Sequence, residues 1–292
     1  MNDKMNSNTG TEGLTLVLGG TGKTGHRVVE RLARRGVPTR VASRSVNPPF
    51  DWNDQSGWDA VLDGVTAAYV SYAPDLAIPG ATDSIRAFVA RAVEKGVQRL
   101  VLLSGRGEEE AQLCESIVRD AGIEWTVVRA SWFNQNFSEG EFLDMVLAGA
   151  ITLPAGDVPE PFVDVDDIAD VAVAALNEDG HDGQIYELTG PRCLTFKEAV
   201  REIASATGRE IQYIQIPHEA FAAGIVESGA PDDIAWLLDY LFTTVLDGRN
   251  TYVCDGVQRA LGREPTDFAE YARRIAAKGV WEVPSSDQKS VA

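Results

Sequence analysis

The sequence predicts an α/β fold: a doubly wound parallel sheet with a small, mainly helical C-terminal cap. Three observations lead there. Short apolar runs alternate with amphipathic stretches from Leu14 to Val128, the pattern of a parallel sheet buried on both faces by helices. A glycine-rich turn follows the first apolar run. Gly36, Gly96 and Gly122 each end an amphipathic stretch, where a helix commonly closes on a left-handed residue.

Taken in order, Leu14-Thr15-Leu16-Val17-Leu18 reads as a buried strand that ends at Gly19-Gly20. A helix follows, with Val28, Val29, Leu32 and Ala33 on one face. Thr39 to Ser43 is a second strand, Phe50-Asp51-Trp52 a short third, and Thr66 to Ser71 a fourth. Thr82 to Lys95 is a helix with Ile85, Phe88, Val89 and Val93 turned inward. Arg99 to Leu103 is a strand, Glu108 to Asp120 a helix, and Glu124 to Val128 a strand. The second half is less regular. Phe162-Val163-Asp164-Val165 reads as a short strand, with Asp166 capping a helix to Leu176. Ile185 to Leu188 is a strand, Thr195 to Thr207 a helix, Ile211 to Ile216 a strand, and His218 to Lys278 mainly helical. The expected organisation is one domain over 14–283. Its substrate cap comes mainly from 130–160 and 191–283, and disordered tails cover 1–13 and 284–292.

Charge narrows the function classes. The formal net charge is −18, from 26 Lys+Arg against 44 Asp+Glu. Residues 1–100 carry 12 basic and 10 acidic side chains, and residues 191–292 carry 11 and 15. Residues 101–190 carry only Arg106, Arg119 and Arg129 against 19 acids, a net of −16. Such a balance argues against nucleic acid and against an anionic membrane surface. No apolar stretch reaches the roughly 20 residues of a membrane span, and Met1 to Gly13 lacks a signal-peptide core. A cytoplasmic location is expected. Cys114, Cys193 and Cys254 fit neither a disulfide framework nor a metal site. His26, His181 and His218 are scattered, without a hydrolase triad or a metal cluster around them.

The turn Gly19-Gly20-Thr21-Gly22-Lys23-Thr24-Gly25 has the spacing Gly-x-x-Gly-x-x-Gly. It lies between strand and helix, where glycine lets the backbone approach a pyrophosphate and the helix N-terminus presents N–H groups. That makes the predicted fold Rossmann-like. The phosphate-loop pattern Gly-x-x-x-x-Gly-Lys-Thr fails, because position 17 is Val17. The end of the second strand separates the two nicotinamide cofactors. No carboxylate occurs from Val37 to Phe50 to hold a ribose 2′-hydroxyl. The strand instead runs into Ser43-Arg44-Ser45, where Arg44 can pair with a 2′-phosphate, the serines can donate and Lys23 adds charge. The expected cofactor is NADP(H).

These segments also carry a family resemblance. The Gly19–Gly25 turn, Val41-Ala42-Ser43-Arg44-Ser45, Phe50-Asp51-Trp52, Arg99-Leu100-Val101-Leu102-Leu103-Ser104, Trp125-Thr126-Val127-Val128-Arg129 and Phe162-Val163-Asp164-Val165-Asp166-Asp167-Ile168-Ala169 resemble the NmrA-like atypical short-chain dehydrogenases over roughly 14–281. Within that group the chain is similar to the ergot-alkaloid biosynthesis reductases of the agroclavine dehydrogenase type and their bacterial relatives. The resemblance implies that Asp51 and Trp52 lie against the adenine. It implies that Tyr72-Ala73-Pro74 lines the ribose–nicotinamide path and that Ser104 sits near the nicotinamide. Trp132, Phe133 and Asn136, with Tyr72, would contribute to the substrate pocket.

One departure bears on mechanism. No tyrosine has a lysine four residues on, and no lysine occurs between Lys95 and Lys197. The usual Tyr-x-x-x-Lys acid is therefore absent. Ser104, Glu115 or Tyr72 could assist a proton transfer. Two readings follow. One is an NADPH-dependent reductase of an iminium, activated alkene, quinone or ketone, working mainly by positioning. The other is a non-catalytic dinucleotide sensor that binds a protein partner. The acidic middle third favours a neutral or cationic small-molecule substrate.

Overall fold

The computed structural model describes residues 13–283. The expected tails, Gly13 apart, lie outside the described residues. The chain divides into two compact units. Unit 1 takes residues 13–104, 110–128 and 169–186; unit 2 takes 105–109, 129–168 and 187–283.

The main sheet has six strands in the order β2-β1-β3-β4-β5-β7. These are β1 (Leu14–Leu18), β2 (Thr39–Ala42), β3 (Val65–Val70), β4 (Arg99–Gly105), β5 (Glu124–Ala130) and β7 (Gln184–Leu188). The pairs β1–β2, β1–β3 and β3–β4 are parallel. Leu16, Val17 and Leu18 are all fully buried. Residues on both faces of β1 are therefore covered, as its unbroken apolar run requires.

Helices α1 (Lys23–Arg34), α2 (Trp58–Leu62), α3 (Ala81–Glu94), α4 (Glu109–Arg119) and α6 (Val165–Asn177) accompany this sheet. Helix α3 buries Ile85, Phe88, Val89 and Ala92, while Val93 is 37% exposed. The inward stripe thus follows i, i+3, i+4, i+7, and Ala92 takes the place expected for Val93.

Unit 2 has its own core and its own small sheet. Strand β6 (Ala150–Leu153) pairs in parallel with β8 (Gln212–Gln215). Helices α5 (Leu143–Ala148), α7 (Phe196–Thr207), α8 (His218–Glu227), α9 (Asp232–Tyr240), α10 (Gly256–Leu261) and α11 (Phe268–Ala277) complete it, with a π turn over Leu241–Val245. Thr195 starts α7 with a reciprocal capping box to Glu198, which satisfies two otherwise orphaned donors. Phe196 then enters a cluster of rings. Phe162 lies 5.0 Å away, Trp132 5.2 Å, Phe242 5.9 Å and Phe142 6.0 Å, centroid to centroid.

Three expectations need correction. Phe50-Asp51-Trp52 is not a strand of the sheet. It forms only an isolated bridge between Asp51 and Asp54, and its rings pack with Trp58 and Phe88 instead. Phe162–Val165 is likewise no strand beyond a single bridge of Val163 with Phe133. The carboxylate at the start of α6 is Asp164, not Asp166: Asp164 Oδ1 accepts the Asp166 N–H at 2.9 Å. Strand β6 and the short helices α2 and α5 had no counterpart in the sequence reading. No helix among the described residues is long and apolar enough to cross a membrane.

With Phe137 at 6.2 Å as a fifth ring neighbour, Phe196 is fully buried, so Phe196→Ala leaves a cavity that rigid rings cannot fill. The expected loss is about 3–5 kcal/mol, read as a lower urea midpoint with an unchanged slope.

Candidate functional site

Chain order marks where a ligand of this sheet would sit. From β1 the chain moves outward to β2, then returns to the other side of β1 as β3. Ligands of such sheets sit beyond the strand ends at this reversal. The segments there are Gly19–Gly25 after β1 and Ser71-Tyr72-Ala73 after β3.

The glycines of the turn have separate physical roles. Gly19 takes φ +64, a left-handed conformation that disfavours a side chain. Its carbonyl accepts the Gly22 N–H at 2.8 Å and closes the turn. A Cβ on Gly25 would come within 2.1 Å of the Gly19 oxygen, so only glycine lets α1 pack this close to the end of β1. Gly22 precedes α1 without a side-chain cap, and no acidic residue occupies the first turn. The positive end of the helix is left for an anion. Thr24 and Gly25 are buried, and Thr21 and Gly22 exposed. This is a cradle with the fit a pyrophosphate needs.

At the end of β2, Arg44 is exposed, with no hydrogen bond or ion pair among the described residues. Ser43 and Ser45 face each other at 3.2 Å between hydroxyls. Asp51 ties its own loop: its Oδ1 accepts the Asn53 N–H, and its carbonyl accepts Trp58 Nε1 at 2.9 Å. Trp52 is mostly buried, in edge contact with Phe50 and 4.7 Å from the Tyr72 ring. Trp52 and Tyr72 are thus brought together, while Ala73 is exposed beside Tyr72.

Ser104, on β4, and Glu115, on α4, meet directly. Ser104 Oγ donates to Glu115 Oε1 at 2.6 Å, and both residues are buried. With the serine proton committed to a carboxylate, the serine oxygen is left to accept. Eleven residues separate the two, and the sequence gives no sign that they touch.

Unit 2 holds the remaining expected residues. Trp132 and Phe133 are half-buried; Trp132 lies against Phe196 and Phe242. Asn136 is half-buried, and its carbonyl accepts the Phe142 N–H at 3.1 Å. Unit 2 also contains a polar cluster that sequence reasoning missed. Arg129 donates to Glu187 at 2.6 Å, and Arg106 Nε lies 3.5 Å from the same carboxylate. The Cys254 thiol donates to Glu187 at 3.3 Å. Burial pushes Glu187 up, but the bonds from Cys254 and Arg129 outweigh it and hold its carboxyl below the usual range. Burial and Glu187 push the Cys254 thiol up to about 11, which leaves it unreactive near neutral pH. Arg106 and Glu187 are far apart in sequence, and no motif joins them.

The chain is 31% identical to an uncharacterized oxidoreductase, YesF, of Bacillus subtilis over 273 residues, covering 90% of this chain and 95% of that one. It is 30% identical to agroclavine dehydrogenase of Claviceps fusiformis over 284 residues, covering 91% and 98%. Among solved structures, the Citrobacter sp. triphenylmethane reductase complexed with NADP(H) superposes with a TM-score of 0.73 at 20% identity, covering 89% of this chain and 99% of that one. That likeness shows a shared fold. The model of the NmrA-like family matches residues 11–272, nearly the whole described chain, and the protein belongs to the NmrA-like family.

Proposed function

We propose that the protein is an NADPH-dependent reductase of a small neutral or cationic organic substrate: an iminium, an activated alkene, a quinone or a ketone. The observation that carries the reading is the glycine cradle at the β1–β3 reversal, with Arg44 beside it unpartnered among the described residues. Family membership and relatives named as oxidoreductase and dehydrogenase support it.

When bound, the cofactor supplies the hydride. The chain's residues do the rest. Gly19, Thr21, Gly22, Lys23, Thr24 and Gly25 hold the pyrophosphate at the start of α1. Arg44 and Ser43 take the 2′-phosphate by charge-assisted bonds, which carboxylate-bearing NAD sites cannot offer. Asp51 and Trp52 lie along the adenine, and Tyr72 and Ala73 along the nicotinamide ribose. Ser104, oriented by Glu115, accepts a hydrogen bond near the nicotinamide; because its hydroxyl proton is donated to Glu115, Ser104 orients rather than acts as an acid. Trp132, Phe133 and Asn136 face the substrate. An iminium is already charged, and a quinone can take its proton from water, so neither requires a strong internal acid. Catalysis is then mainly positioning.

The absent Tyr-x-x-x-Lys acid favours a second reading, a dinucleotide sensor. The two separate in one experiment. NADPH is titrated by fluorescence, then its oxidation is followed with quinones, imines, activated alkenes and ketones. Binding with turnover supports the reductase, binding without turnover the sensor, and no binding overturns both.

Two substitutions sharpen the assignment. Arg44→Ala should weaken NADPH about 10–100-fold, the worth of a charged hydrogen-bond pair, and NADH much less; equal losses would refute the 2′-phosphate contact. Ser104→Ala should lower kcat about tenfold by loosening the nicotinamide, with the NADPH Kd nearly unchanged; unaltered turnover would remove Ser104 from the site.

A further inference from the structure

Two fully buried polar side chains in unit 2 have no partner. Glu160 is 0% exposed, and neither carboxyl oxygen has a hydrogen bond among the described residues. Asn134 is also 0% exposed, and both its side-chain polar atoms are unbonded. Folded proteins leave few groups in this state.

The backbones of these two residues belong to one bonded framework. Glu160 N–H donates to the Leu194 carbonyl at 2.9 Å, and Leu194 N–H returns a bond of 2.9 Å to the Glu160 carbonyl. Thr251 Oγ1 donates to the Pro159 carbonyl, and Gly190 N–H donates to the Pro161 carbonyl, both at 3.1 Å. Two residues beyond, Val163 N–H donates to the Trp132 carbonyl at 2.9 Å, and Asn134 N–H donates to the Val163 carbonyl at 2.9 Å. Residues 159–163 therefore link Leu194 at one end to Trp132 and Asn134 at the other.

The charged groups around Glu160 give an ionised carboxylate little help. Arg106 favours the ionised form, Asp247 opposes it, and the Cys193 thiol feels the same carboxyl. Arg106 is already engaged. Its Nη1 donates to the Asn250 carbonyl at 2.8 Å, its Nη2 to Cys254 Sγ at 3.5 Å, and its plane lies 4.0 Å over the Tyr252 ring. A buried neutral carboxyl is tolerable, but an unbonded buried carboxylate is not.

We propose that Glu160 is a positioning residue whose proton keeps the 159–163 run closed on Leu194, so that losing it loosens the Trp132–Asn136 segment through Val163. The link to substrate rests on the reading of Trp132, Phe133 and Asn136 as the substrate wall; the latch itself does not. Burial pushes the Glu160 carboxyl up to about 7. The closed form therefore keeps its proton where an opened form would already have lost it. Closure is then strongest at low pH and weakens as pH rises from the usual carboxylate value to about 7.

Amide hydrogen exchange of the full chain tests this at pH 5.5 and pH 8, corrected for the intrinsic pH dependence. The amides of Asn134, Val163 and Leu194 should lose at least about tenfold in protection at pH 8. Amides of β3 serve as the control. Glu160→Gln, neutral at both values, should keep the same protection at each. Unchanged wild-type protection, or an equal loss in Glu160→Gln, overturns the proposal. The wild-type comparison decides the matter even if the variant fails to fold. The readout needs no cofactor or substrate, so a failed NADPH oxidation screen would sink the reductase reading without touching this result.

Discussion

Helix α1 can start where it does only because Gly25 has no side chain. A single Cβ there would overlap the Gly19 carbonyl, which itself closes the turn by accepting the Gly22 N–H. That contact joins the end of β1 to the beginning of α1 and aims the positive end of the helix at the reversal between β1 and β3. The proposed anion site and the packing of α1 are one constraint, because the same missing atoms serve both. Burial of Val28 and Leu32 on α1, and of Leu16 to Leu18 on β1, follows from that approach.

The acidic excess of the middle third has structural roles that composition does not reveal. Asp164 and Asp167 are fully buried near the start of α6; they take Arg274 at 2.6 Å and Arg263 at 2.7 Å. Glu178 meets Arg35 at 2.7 Å, Glu124 meets Arg99 at 2.7 Å, and Glu187 meets Arg129 at 2.6 Å. Most of these arginines come from outside residues 101–190, so the local imbalance is partly answered by the rest of the chain. The exposed pairs add little stability individually. The buried aspartates matter more, since removing Arg274 would leave a charge with few partners. The charge of a sequence segment is thus an indirect guide to the charge of any pocket.

Legibility varied with the range of the forces involved. Most strands and helices over 14–128 were readable because each apolar run or stripe reports its own burial and the capping glycines mark the ends; α2, only five residues long, was not. Phe50-Asp51-Trp52 misled because aromatic residues after prolines suit a strand equally well. Their rings found a better environment against Trp58 and Phe88. Strand β6 was hidden because four residues have little periodicity, and its partner β8 lies about sixty residues later. In the candidate site, Gly19–Gly25 and Arg44 were visible as local chemistry. The direct bond of Ser104 to Glu115, and the isolation of Glu160, were not.

By itself, the sequence determined the alternation of buried strands with helices, the tight turn before α1, and the absence of both an acidic residue near Arg44 and a Tyr-x-x-x-Lys acid. Each is a property of neighbours along the chain, set by backbone sterics and side-chain type. Only the tertiary structure decided which polar groups meet. It joined Arg106 to Glu187 and Asp164 to Arg274, and it enclosed Glu160 with neither oxygen bonded among the described residues. Desolvation and hydrogen bonding depend on what surrounds an atom in space, and for these residues the surroundings come from segments tens to more than a hundred positions away.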